Sequence, residues 1–466
     1  MQKINKVFLI LIVTIFLGIF YRIYQSNFDD YWFDEYFGFW ISDPQLNFID
    51  SLDRIIGPGW GVNLLFDFIL KYFYVFFGYH PENGRYLTVF LSSISIPLLT
   101  YLSYQIDKSK SYLLTAFITS HCWYLISYSQ EVRGYSFGFL LTILSFIIFL
   151  FIIKSDKQNL KKNIYLSLIY FLVNLLGLIN HIFFGIVIFS HFIFIFNFLN
   201  EKQKFKIFIT SYFLVGIIYL IMMFPILIKG LSTESFWVPQ IDLEFFISYF
   251  FPRFFGSKIM GYIYLIILIY LAFKSKKMIF QKKSFFQLFF ILLISSYVFP
   301  IIYSLFKMPI LIDRYIIFVL VPIILLISIL TFKQSTKIRN LIIVIIVFTT
   351  FANNYLEIFK RVHTKPEFNK SLSFISSEKH AEIKLLSSNK NDHIWLNNYV
   401  TKISFSKYEK LTFLSYNKLT DNKYLWVYCY LPINNFKCKS QKIDQMYKKI
   451  SEKSFFLIKV FLYEKK

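Results

Sequence analysis

The stretch WGVNLLFDFILKYFYVFFGY (60–79) decides the topology of the whole chain. It is apolar enough to cross a bilayer, and a crossing takes roughly 20 residues. It also carries Asp67 and Lys71 near its middle, and each charge costs about 2.5–3.5 kcal/mol at a bilayer centre. The charges therefore predict an amphipathic helix lying at the outer interface, not a span. Were it a span, every lysine-rich loop after it would change sides.

Working outward, lysine clusters punctuate the apolar runs at Lys108/Lys110, Lys154–Lys162, Lys202–Lys206, Lys274–Lys283 and Lys333/Lys337. Two apolar runs separate each cluster from the next, so all can lie on one side, and the positive-inside bias makes that side cytoplasmic. The spans read from this pattern are 7–24, 86–105, 111–128, 134–153, 163–179, 182–199, 207–228, 258–273, 285–306, 315–332 and 340–355. Val7 to Phe20 follows Lys3 and Lys6 and runs into Tyr21 and Arg22 without a small-residue cleavage site, which predicts an uncleaved signal anchor.

The expected fold is an all-α polytopic membrane domain of about eleven transmembrane helices with outer juxtamembrane helices, 1–360, its outer loop at 25–85. A small soluble α/β domain, 361–466, follows on the outer face; its composition changes near Pro366. Within it, Cys429 and Cys438 flank LPINNFK, a connection able to turn back and place two cysteines at bridging distance. Outside the cytoplasm such a bridge persists. Two reduced thiols are the alternative.

Composition agrees with a membrane protein. Of 466 residues 56% are hydrophobic and 22% aromatic, with 60 Phe, against the roughly 45–50% apolar content of soluble domains. The net charge of +23 belongs to topology, because its lysines border spans; no zinc-finger spacing or Gly-rich phosphate loop points to nucleic acid.

Two outer segments carry candidate chemistry. FDDYWFDEYFGFW (28–40) sets Asp29, Asp30, Asp34 and Glu35 among aromatics directly after the first span. Asp29 and Asp30 fit an acidic outer loop as well as chemistry. Asp34 and Glu35 sit inside WF-DE-YFGFW, and an apolar interface favours the neutral form of a carboxyl group, which suits one to take up a proton. In SQEVRGY (129–135), Glu131 and Arg133 occupy a tight outer turn, as a local ion pair or as site residues.

Eight of the 50 basic residues are arginine. Arg22, Arg54, Arg85, Arg133, Arg253, Arg314 and Arg361 all fall on the outer side by this topology, and only Arg339 falls inside. A guanidinium binds phosphate oxygens as a planar fork. Headgroup anchoring accounts for Arg22 and Arg361; Arg133 and Arg314, at span ends without lysine neighbours, fit a phosphate ligand.

At these residues the chain resembles the polytopic GT-C-type lipid-linked glycosyltransferases, which include protein O-mannosyltransferases and lipid A aminoarabinose transferase. The resemblance covers most of 7–370. Its marks are Asp34-Glu35, Gly84-Arg85, the turn Gln130-Glu131-x-Arg133-x-Tyr135, Trp237 and Pro239, Pro309 with Arg314-Tyr315, and Lys365-Pro366. The chain departs from it at Gly57-Pro58-Gly59, where the family has His-Pro-Pro, and at Gly134, where Pro is common.

The resemblance implies a polyprenyl-phosphate-linked sugar donor, used on the outer face of the plasma membrane. Asp34 would be the catalytic base, with Glu35 beside it and Glu131 as a second acidic residue. Arg85, Arg133, Tyr135, Trp237, Arg314 and Tyr315 would bind substrate, and the acceptor would be a lipid, polysaccharide or protein. A divalent metal is compatible with this chemistry, although no His/Asp cluster has ligand spacing; His80 and His181 read as interfacial histidines. A transporter or flippase, or a ligase or polymerase of lipid-linked glycans, is the rival reading.

Overall fold

The computed structural model describes residues 6–56, 64–155, 160–231, 238, 240–242, 245, 251–378, 385–387, 413–414, 422–431 and 441–466. Trp237, Pro239, Gly57–Gly59 and Cys438 lie outside the described residues. Seven described helices are long and apolar enough to cross a membrane: Lys6–Ile23, Pro81–Ile106, Tyr135–Lys154, Lys202–Ile228, Phe285–Phe306, Asp313–Phe332 and Thr336–Phe359. The other four expected spans fall on Ser111–His121 with Trp123–Ser129, Leu160–Asn180, Ile182–Phe198 and Lys258–Lys274. The chain is a multi-pass membrane protein.

The helix inside 60–79 runs Leu64–Phe77, 14 residues, or about 21 Å at ~1.5 Å per residue. The described helix is shorter than the ~30 Å hydrocarbon layer. Its exposed side is Tyr72, Val75, Phe76 and Phe77, while Asp67 and Lys71 are buried beside Leu70 and Tyr74. A helix in water would show the reverse pattern.

The chain clusters into two compact units. One is Met1–Tyr24, Gln45–Leu70 and Tyr86–Arg361; the other is Gln25–Pro44, Lys71–Arg85 and Val362–Lys466. Part of the outer loop thus goes with the C-terminal residues, whereas the sequence reading placed 25–85 whole in the membrane domain.

In the first unit the expected span 111–128 is broken. Ser111–His121 ends at Cys122, whose backbone is extended, and Trp123–Ser129 restarts behind it. The Cys122 thiol donates to the Phe254 carbonyl at 3.1 Å. A broken helix leaves its last carbonyls unpaired, and two side chains from elsewhere take them. Arg22 donates to Thr119 O (2.9 Å) and Ser120 O (3.1 Å), and Asn354 donates to His121 O at 3.0 Å. Arg22 also reaches Ser92 Oγ and Gly18 O, each at 2.8 Å.

Arg22 is fully buried, which corrects its expected role as a headgroup anchor. Its approach depends on Gly18, where a Cβ would stand 2.6 Å from Ser120. The capping is reciprocal, because Gln130 donates to Tyr21 O, Arg22 O and Tyr24 O at the end of the first helix. Arg361 in turn donates to Gln130 Oε1 at 2.7 Å.

The second unit holds a five-stranded sheet of order β2-β1-β3-β5-β4, with β1 Leu385–Ser387, β2 Phe413–Leu414, β3 Tyr424–Tyr430, β4 Tyr447–Phe455 and β5 Ile458–Lys465. β3 is buried on both faces. Leu425, Val427 and Cys429 join Ile443 and Tyr447 in a core on one face. On the other, Trp426 and Tyr430 meet Phe374 and Phe368 of the helix Phe368–Ser377. β4 is an exposed strand carrying Lys448, Lys449 and Lys453, charges that discourage pairing with a further strand. Cys122 is free and Cys429 is disulfide-bonded.

Candidate functional site

In the second unit the candidate residues are Asp34, Glu35 and Arg85. Trp32 caps the helix Phe33–Ile41, and the Glu35 carboxylate turns back to accept from the Trp32 N–H at 3.3 Å. Both acids lie in the first helical turn, where negative charge complements the helix dipole. Neighbouring helical positions diverge by about 100°, and the pair separates accordingly. Glu35 is fully buried, whereas Asp34 is half-buried.

Glu35 receives Lys365 at 2.6 Å and lies 3.6 Å from Arg85. Arg85 is spent on the loop: it donates to Ser26 O (3.0 Å) and Asp29 O (2.6 Å) and lies over the Tyr31 ring at 4.9 Å. Asp29 accepts from Thr364 N and Oγ1 at 3.3 and 3.0 Å and faces His363 Nδ1 at 3.1 Å. Asp30 accepts from Asn369 N at 2.8 Å. Burial raises the Asp30 carboxyl above its usual range, and the two Asn369 hydrogen bonds work against that rise. Asp29, Asp30 and Glu35 are therefore structural ties; Asp34, like Asp30, is half-buried.

In the first unit, the turn at Glu131–Arg133 closes through its backbone, Arg133 N donating to Glu131 O at 2.8 Å. Glu131 and Arg133 are both buried. Tyr135 begins the next helix. Arg314 sits in the first turn of a 3-10 segment, Asp313–Val319, with non-helical backbone at Ile316. Its guanidinium lies 5.9 Å from the ring centres of both Tyr135 and Tyr315. Preceding it, Asp313 pairs with Arg253 at 2.9 Å.

Tyr135, Arg314 and Tyr315 thus line one small pocket, of about 20 Å³. Asn180 and His181, at the turn between two apolar helices, line it too. His181 Nδ1 accepts from the Phe183 N–H at 3.2 Å, and Asn180 Nδ2 donates to Gly134 O at 3.0 Å. Burial first, then the positive charges of Arg133 and Arg314, push the His181 imidazole down to about 3, so it is neutral. Sequence reasoning set His181 aside as interfacial and did not single out Asn180. The signal was a polar Asn-His pair between apolar runs, on the same side by parity as 129–133 and 307–314.

Gly138 and Gly177 also line the pocket. A Cβ at Gly177 would stand 2.5 Å from the Phe184 ring, whereas one at Gly216 meets nothing within 4 Å. Gly177→Ala is expected to lower stability by about 1–3 kcal/mol. Gly216→Ala should raise it slightly, by up to ~1 kcal/mol of helix propensity. Thermal unfolding of both variants checks the pair; equal melting shifts would reject the packing argument.

Asp67 is a second group missed as chemistry. Burial raises its carboxyl from 3.8 to about 7, with the Arg133 charge pulling it back. The folded state then holds a proton that the unfolded chain releases above pH 3.8, so stability falls as pH rises from there to about 7 and is level beyond. Asp67→Asn should flatten that interval in a series of melting curves; an unchanged slope would count against it.

Among the described residues, no group of three or more His, Cys, Asp or Glu is gathered as a metal site. No protein-family model matches the chain, and no curated protein matches it by sequence. Solved structures match by fold. ArnT from Cupriavidus metallidurans, bound to undecaprenyl phosphate, matches at a TM-score of 0.60 and 8% identity, over 98% of this chain and 97% of that one. Archaeal oligosaccharyltransferase AglB from Archaeoglobus fulgidus, in complex with an inhibitory peptide and a dolichol-phosphate, matches at 0.52 and 9%, over 98% and 74%. The Archaeoglobus fulgidus oligosaccharyltransferase with zinc and sulfate matches at 0.51 and 9%, over 90% and 67%. At such identities the likeness is one of fold.

Proposed function

We propose that the chain is a membrane glycosyltransferase, moving a sugar from a polyprenyl-phosphate donor to an acceptor hydroxyl on the outer face of the plasma membrane. The observation that carries this reading is the fold shared almost end to end with ArnT, a protein solved with undecaprenyl phosphate bound. The site residues support it. Asp34 takes the proton of the acceptor hydroxyl. The acceptor oxygen forms the new bond to the anomeric carbon, and the bond from that carbon to the phosphate oxygen breaks. Its electron pair leaves with the polyprenyl phosphate.

Arg314, between Tyr135 and Tyr315, is the group for the phosphate, and Arg133 supports it. Glu35 and Arg85 shape the loop that presents Asp34. Glu131 is the second acid. Trp237 is retained as a substrate contact on the resemblance alone.

The test uses the purified protein in lipid nanodiscs with undecaprenyl-phosphate-linked sugars and a hydroxyl acceptor, reading free undecaprenyl phosphate. Protein-dependent release is expected. Arg314→Lys and Arg133→Lys keep the charge and lose the fork, and each should raise the donor KM by about tenfold, the worth of one charge-assisted hydrogen bond. Lysine variants matching wild type would reject bidentate phosphate recognition; the absence of any release across donors would reject the function.

A further inference from the structure

Two polar atoms beside Arg314 in this pocket have no hydrogen-bond partner among the described residues. His181 Nε2 and Asn180 Oδ1 are buried and make no hydrogen bond among the described residues. Their side chains are 9% and 1% exposed, and both line the pocket. Their chemical characters are fixed by their other bonds. Since His181 Nδ1 accepts from Phe183 N, the neutral ring carries its proton on Nε2, which is therefore a donor. Asn180 spends its amide nitrogen on Gly134 O, which leaves Oδ1 as an acceptor.

A buried donor and a buried acceptor on two residues that line one small pocket complement a hydroxyl group, which accepts one hydrogen bond and donates another. The pocket volume of about 20 Å³ holds one oxygen, because a water-sized guest needs roughly 10–15 Å³ by this measure. A sugar ring is excluded. A single hydroxyl projecting from a ring is not.

We propose that Asn180 and His181 form a subsite that reads one hydroxyl of the sugar on the lipid-phosphate donor. The subsite rests on the function proposed above. It adds to that reading a place where sugar identity is decided: a phosphate on Arg314 carries its sugar along the wall these two residues share with it. A sugar lacking that hydroxyl, or presenting it in the other configuration, leaves both polar atoms buried and unpaired.

The experiment measures dissociation constants in nanodiscs for undecaprenyl phosphate and for undecaprenyl phosphoryl-mannose, -glucose and -galactose. It uses wild type, His181→Phe and His181→Gln, and the readout is the ratio of bare to sugar-linked constants. Wild type should prefer at least one sugar-linked lipid. His181→Phe should lower that preference about tenfold, and His181→Gln, which keeps an N–H donor, should recover most of it. A ratio equal in wild type and His181→Phe overturns the subsite and leaves a resident water only.

If His181→Phe does not fold, wild type alone decides, using donors lacking one hydroxyl at a time. One deoxy position should weaken binding about tenfold, and uniform affinities overturn the proposal. Wild type that binds the bare lipid without preferring any sugar overturns the subsite while sparing the lipid-phosphate reading. Wild type that binds neither lipid overturns both.

Discussion

Asp34→Asn is expected to lower turnover by about 10²–10⁴-fold, the worth of a positioned general base, while membrane insertion and abundance stay at wild-type levels. The amide is nearly isosteric with the carboxylate and half-buried in the first turn of Phe33–Ile41. Glu35→Gln is the informative companion. Glu35 is fully buried between Lys365 and Arg85, and neutralising it leaves two cations facing an amide. Its loss should appear first as lower melting temperature and abundance, with activity per folded molecule better preserved than in Asp34→Asn. Turnover in Asp34→Asn above about a tenth of wild type would remove Asp34 as the base.

Arg22→Met is expected to cost about 3–5 kcal/mol, the range for removing one partner of a buried charged interaction. Each carbonyl left without a donor costs about 1–3 kcal/mol, and Thr119 O and Ser120 O are both capped by this guanidinium. Against a total stability of roughly 5–15 kcal/mol, that is a large share of the folding margin. The measurements are the amount of full-length protein in membranes and the melting temperature in detergent. An Arg22→Met protein melting within a few degrees of wild type would show that the caps are replaceable.

How far the sequence reached differs between fold and site. Apolar run length and lysine placement are properties of the linear chain, since the cost of charge in hydrocarbon acts on each segment separately. The helical membrane class and the place of every helix later observed in an expected span were therefore legible. Within 60–79 the described helix is Leu64–Phe77, with Asp67 and Lys71 buried. Alternating runs such as YLWVYCYL likewise announced strands in 361–466.

The roles of individual charged residues were not legible, because a side chain's partner is set by packing between segments far apart in sequence. Arg22 looked like an anchor until the break at Cys122 freed carbonyls near residue 120 for it to cap. Glu35 and Asp34 are neighbours of equal promise in the chain. Only the direction of the helix buries one against Lys365, 330 positions away, and leaves the other half-buried. The same holds for Asn180 and His181, of which the sequence reading took up His181 alone, as an interfacial histidine. Arg314, more than a hundred residues later, lines the pocket with them, and only tertiary packing brings it there.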